Sequence, residues 1–169
     1  MRNPPDRALL PQIACAAAIR TCRGSRDPGD AGPAISHTGG MDREGRQALH
    51  YRALEGDVSG IEARLAAGDD VVLADRQDFT ALHFAAQQSQ TEAVRVLLDA
   101  EAPVDPQDRF GNTPLWRAVF NSQGQAGTAE VLLHAGADPD IRNEAGASPR
   151  ELATRMGAAE VVSLFDEAH

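Results

Sequence analysis

The sequence has 169 residues and no lysine; all 16 basic residues are arginine. A phosphate loop of the G-x-x-x-x-G-K-[ST] type is therefore excluded. Cysteine is nearly absent as well: Cys15 and Cys22 both fall within the first forty residues. Residues 41–169 thus have neither thiol chemistry nor a disulfide framework, which suits a reducing compartment. Aromatics make up 4% of the chain, as five Phe, one Trp and one Tyr, so a core must be built from Ala, Leu and Val. No stretch approaches the ~20 apolar residues of a membrane span. H-E-x-x-H, C-x-x-C and G-x-S-x-G are all missing.

The charge is uneven. Residues 1–40 carry five Arg and three Asp, while residues 41–169 carry eleven Arg and 22 acids, within a net charge of −9. An acidic C-terminal part argues against holding nucleic acid through its phosphates. It favours solubility and basic partners. Arginine-only basicity with acid enrichment fits a bacterial, cytoplasmic protein.

The first forty residues differ from the rest. Asp6, and Pro11 and Gln12 inside the apolar run Ala8 to Ile19, argue against a signal peptide. Gln12 also weakens any lipidation signal at Cys15. The Gly/Pro/Ser/Asp-rich stretch from Gly24 to Gly40 reads as disordered. Residues 1–41 are thus either a disordered tail or a non-native one, translation then starting at Met41.

Self-similarity governs the remainder. Gln47-Ala48-Leu49-His50, Thr80-Ala81-Leu82-His83, Thr113-Pro114-Leu115-Trp116 and Ser148-Pro149-Arg150-Glu151 start 33, 33 and 35 residues apart. Asp42, Asp75, Asp108 and Asn143 each stand five residues upstream. Gly68, Glu101 and Gly136 mark the downstream ends and place a two-residue insertion between Asn121 and Gly127. Thr80 and Thr113 are N-cap residues, and Pro114 and Pro149 take the first helical position, where a missing N–H costs nothing. Leu82, Ala85 and Ala86 share one helical face. A second helix in repeat two runs about Thr91 to Ala100, burying Val94, Leu97 and Leu98. Ile61/Leu65, Val131/Leu132 and Val161/Leu164/Phe165 repeat that pattern. Gly68 and Gly136 can adopt the left-handed cap conformation, whereas Glu101 and the turn residue Asp78 take positions where glycine fits best. Arg52, and Arg150 with Glu151, put polar groups on the end repeats, as expected of terminal caps and a monomer.

Asp108-Arg109-Phe110-Gly111-Asn112-Thr113-Pro114-Leu115, followed by Val131-Leu132-Leu133-His134-Ala135-Gly136-Ala137-Asp138, resembles the ankyrin repeat. The resemblance implies an all-α solenoid of antiparallel helix pairs joined by β-hairpin-like loops. Its four repeats cover residues 42–169, at about 42–74, 75–107, 108–142 and 143–169. It implies that His50 and His83 tie neighbouring loops together by hydrogen bonds. Trp116 replaces that histidine and cannot accept as it does; it either packs between repeats three and four or joins the binding surface. His134 suits the last turn of a helix.

The resemblance also implies a non-enzymatic module that binds another protein through a concave face and the hairpin tips. At the tips stand Arg43, Glu44, Arg46, Arg76, Gln77, Phe79, Arg109, Phe110 and Asn112; on the inner helices, Leu54, Glu55, Gln87, Gln88, Phe120 and Asn121. Arg43, Arg76 and Arg109 should form a row, either binding a partner or pairing with the tip aspartates. Phe79, Phe110 and Phe120 fall on nominally exposed positions and are natural anchors. An inhibitor or immunity protein for a toxin or enzyme, or a two-partner scaffold, are the alternatives. No catalytic residue, cofactor, metal, nucleic acid or membrane is expected. Asp138-Pro139-Asp140 starts like a calcium loop, but Arg142 falls on a ligand position and Asn143 replaces the turn glycine.

Overall fold

The computed structural model describes residues 40–122 and 126–167. The expectations about Cys15, Cys22, the apolar run and most of the tail fall outside the described residues, as does the middle of the inserted loop, 123–125. Among the described residues there are eight helices: α1 Ala48–Glu55, α2 Val58–Ala66, α3 Ala81–Gln87, α4 Thr91–Asp99, α5 Pro114–Asn121, α6 Gly127–His134, α7 Pro149–Met156 and α8 Ala159–Glu167. They form one all-α solenoid of four helix pairs. The inner helices α1, α3, α5 and α7 stack in one layer, and α2, α4, α6 and α8 in a second, each pair meeting its neighbour.

Local chemistry sets the helix starts. Thr113 Oγ accepts the Trp116 N–H at 3.2 Å, and Ser148 Oγ the Glu151 N–H at 3.2 Å. Pro114 and Pro149 occupy the first helical turn, where no donor is lost. Beyond the outer helices the backbone turns left-handed, at Gly68 (φ 91°), Glu101 (φ 63°) and Gly136 (φ 93°). Asp78 holds φ 62° in the tip of repeat two.

Packing then joins the repeats. No single helix pair can bury its own apolar face, so stacking supplies the core. Leu49, Leu82 and Leu115 recur at one position of the period and are buried; in α7 Arg150 takes that position, and Leu152, two residues further on, is buried instead. Ala85, Ala118 and Ala153 are buried beside them and let neighbouring helices approach closely. Ile61, Val94, Leu97, Val131, Leu132, Val161 and Phe165 fill the space between the layers. Leu65, Leu98 and Leu164 are only half-buried at its rim.

Candidate functional site

Each hairpin tip is built on one side chain. The Asp75 carboxylate accepts the N–H groups of Gln77 (2.8 Å) and Phe79 (3.0 Å). Asp108 does the same for Phe110 (2.8 Å) and Asn112 (3.0 Å), and Asp42 for Glu44 (2.8 Å) and Arg46 (2.9 Å). In repeat four Asn143 Oδ1 accepts only from Ala147, at 3.0 Å. Backbone bonds then connect tip to tip: Arg76 N–H to Glu44 carbonyl (2.9 Å), Arg109 N–H to Gln77 carbonyl (3.0 Å) and Glu144 N–H to Phe110 carbonyl (3.0 Å). The tips form a continuous ladder.

Two histidines fasten the layer beneath. Nδ1 of His50 accepts the Gln47 N–H (3.1 Å), so Nε2 carries the proton and donates to the Leu73 carbonyl at 3.1 Å. His83 accepts from the Thr80 N–H (3.2 Å) and reaches the Asn112 carbonyl of the next repeat at 3.1 Å. Burial depresses both pKa values, that of His83 to about 4, although the accepting carbonyls and nearby aspartates pull the other way. Trp116 stands in their place in repeat three. Its indole stacks on Phe120 with centroids 5.1 Å apart, and its buried N–H has no acceptor among the described residues.

Three of the residues expected on the binding surface are structural instead. Phe79 is only 8% exposed. It lies 5.4 Å from the rings of both His83 and Phe84, with the Arg117 guanidinium 4.6 Å over its face. Asn112 is buried, its amide donating to Asp108 and its Oδ1 accepting from Asn143 Nδ2 at 2.8 Å. Arg46 reaches across to the next repeat, with Nε 2.9 Å from Asp75 and its guanidinium 4.9 Å over Phe84.

The other positions are more open. Phe110 is 47% and Phe120 51% exposed. Arg43, Arg76, Arg109, Glu55 and Gln88 are exposed; Leu54, Gln77, Gln87 and Asn121 are half-buried. Glu55 pairs with Arg52 at 3.3 Å, and the Asn121 amide donates to the Arg117 carbonyl at 3.1 Å. Arg43, Arg76 and Arg109 do not pair with the tip aspartates. Asp75 is taken by Arg46 and Asp108 by Arg117.

Met156, at 48% exposure, was missed. It stands 35 residues after Asn121, at the same position of the period. That register is the signal that places it, and it carries no aromatic ring.

Asp138-Pro139-Asp140 lies in the turn before the fourth tip, where Asp140 accepts from Arg150 Nε at 2.9 Å. Among the described residues no group of His, Cys, Asp or Glu could hold a metal ion, and no helix is long and apolar enough to cross a membrane.

Residues 49–143 match the family described as ankyrin repeats, in three copies. The fourth helix pair, α7 and α8, lies beyond the match. Comparison with curated proteins returns no match.

Proposed function

The chain belongs to the ankyrin repeat family, and from that premise we propose that it is a non-enzymatic module whose inner-helix surface and hairpin tips bind one partner protein. Ankyrin repeats are in general protein–protein interaction modules and typically not enzymes. The observation that carries the reading here is where the apolar surface lies. Five large apolar side chains stand exposed among the described residues, and Phe110, Phe120 and Met156 belong to the tip and inner helices of repeats three and four. Met41 and Val72 stand at the start and in the outer loop of repeat one. Exposed large apolar groups concentrated in two neighbouring repeats are a recognised mark of an interaction site, and aromatic side chains are favoured as anchors. One such surface favours a single partner, as an inhibitor or immunity protein has, over a two-partner scaffold.

The test is affinity capture from the source cell with the full chain as bait, beside a Phe110→Ala/Phe120→Ala bait whose helical circular dichroism matches. A protein retained by the first and lost with the second supports this surface. One retained equally by both refutes it.

A further inference from the structure

Residues 40–167 contain eleven arginines, and seven of them hold a carboxylate: Arg46, Arg52, Arg64, Arg95, Arg117, Arg142 and Arg150. Four have no ion pair among the described residues: Arg43, Arg76, Arg109 and Arg155. Three of those four occupy the same position of the period, immediately after the tip aspartate, and all three are exposed. The tip aspartates are unavailable to them: Asp75 and Asp108 are buried under Arg46 and Arg117, and Asp42 is engaged by Tyr51 and its own turn. In a chain of net charge −9, cations left unpaired in register are a local departure from the whole.

From this row we infer that the hairpin tips take an extended acidic segment of the partner protein, one carboxylate to each of Arg43, Arg76 and Arg109. The inference rests on the protein-binding reading above and narrows it. The net charge alone points to a basic partner; the placement of the free cations points the other way. Glu44 and Asp78 are also exposed on the tips, but they stand one and two positions further along and share no row. The row ends at Glu144, which takes the same position in repeat four and closes that end to a further carboxylate. Phe110 follows Arg109 directly, its ring 5.1 Å from that guanidinium, and offers an apolar contact beside the third cation.

Spacing sharpens the ligand. Backbone bonds lock adjacent tips together, and stacked helices pack about 8–10 Å apart. A polyproline II segment rises about 3.1 Å per residue with three residues per turn, so every third side chain returns to one face about 9 Å on. Acidic residues at every third position of such a segment match the row.

The test uses a labelled twelve-residue peptide of repeating Glu-Pro-Pro, its Lys-Pro-Pro counterpart, a peptide with the same four glutamates in one block, and a twelve-nucleotide oligothymidylate. Binding to the full chain is followed by fluorescence anisotropy at about 10 mM and 150 mM ionic strength. The spaced Glu peptide should bind best and weaken with salt. Arg43→Gln/Arg76→Gln/Arg109→Gln should weaken it by about fivefold per arginine, the scale of a good exposed ion pair. Glu144→Arg should lengthen the row and tighten the spaced peptide by a similar factor. Arg43 and Arg76 have no ion pair among the described residues, and Arg109 touches only the exposed ring of Phe110, so unchanged circular dichroism is expected. Equal binding of the block or Lys peptide, stronger binding of the oligonucleotide, an unaffected triple variant, or no binding of the spaced peptide at 10 mM would each overturn the inference. In the capture assay, a partner lost with Phe110→Ala/Phe120→Ala but fully retained by the triple arginine variant would overturn the acidic segment and leave the protein-binding reading standing.

Discussion

Asp42, Asp75, Asp108 and Asn143 occupy one position in four environments, and that makes Asp108 a test of how the tips are held. Asp108 is buried and receives Arg117 through both Nε and a terminal nitrogen, besides two backbone N–H groups and the Asn112 amide. Removing one partner of a buried ion pair costs about 3–5 kcal/mol, because the other charge is left uncompensated. Asp108→Ala should therefore lower stability by that amount. With a urea slope of about 2 kcal/mol per molar, the midpoint falls by about 2 M. Asp108→Asn keeps an oxygen for the backbone, as Asn143 does for Ala147, and loses only the charge-assisted part, about 1.5–3 kcal/mol. Asp42 is exposed, and Asp42→Ala should cost about 1 kcal/mol at most. Acid gives a second reading. Burial pushes the Asp108 carboxyl up, but the bonds from Arg117, Asn112 and Phe110 outweigh it and hold its pKa below the usual value. The stabilisation is thus complete above the unfolded pKa of about 3.9 and is lost as pH falls through the lower folded value. Urea titrations followed by far-ultraviolet circular dichroism at pH 7 and at about pH 3 measure both effects. Equal costs for Asp42→Ala and Asp108→Ala at pH 7 would refute the reasoning.

Three further outcomes follow from the same geometry. Below about pH 6.5 the unfolded chain protonates its histidines while buried His83 stays neutral down to about 4; stability should fall with pH across that window, and His83→Gln should flatten the fall in a pH series of thermal melts. Glu101→Gly should raise stability by on the order of 1 kcal/mol by relieving a left-handed backbone, and Gly136→Ala should lower it by a similar amount, since a Cβ there meets nothing within 4 Å and only the backbone objects; denaturant midpoints decide both. Gly111→Ala should cost more, about 2 kcal/mol or above, because at φ +74° its Cβ would also come 2.9 Å from the Glu144 nitrogen. Amide exchange at Glu144 should then rise more than exchange at Arg76.

The repeat frame was legible because its signals are local. A threonine followed by proline caps a helix wherever it stands, and Asp78 and Glu101 could be placed at left-handed positions from the register alone. The surface was less legible because exposure at a tip depends on the neighbouring repeat. Four residues after each N-cap the sequence varies as Tyr51, Phe84, Arg117 and Leu152. Phe84 draws Arg46 over its ring, and Arg117 covers Phe79, so two residues expected at the surface are held by partners 38 residues further along the chain. Asn112 is likewise claimed by Asn143, 31 residues away. Phe110 and Phe120 have no such partner and stand exposed. Ser89, with φ 55°, takes a left-handed position where Gly56 and Gly157 stand in repeats one and four; without glycine it gave no signal.

The indole at Trp116 has a mechanical consequence. Repeats one and two are joined by the Arg46–Asp75 clamp, while His50 holds the Leu73 carbonyl at the end of repeat one; repeats two and three are joined by the His83 tie with Arg117 lodged over Phe79. Between repeats three and four no histidine spans the gap; the joint is held by two backbone bonds, an Asn143–Asn112 amide bond and the exposed ion pairs Arg142–Glu151 and Arg150–Asp140. Stretched between its ends, the array behaves as a row of buckles of unequal strength. Because exposed ion pairs are screened by salt, the third joint, fastened by Arg142–Glu151 and Arg150–Asp140, should be the one whose grip loosens as ionic strength rises.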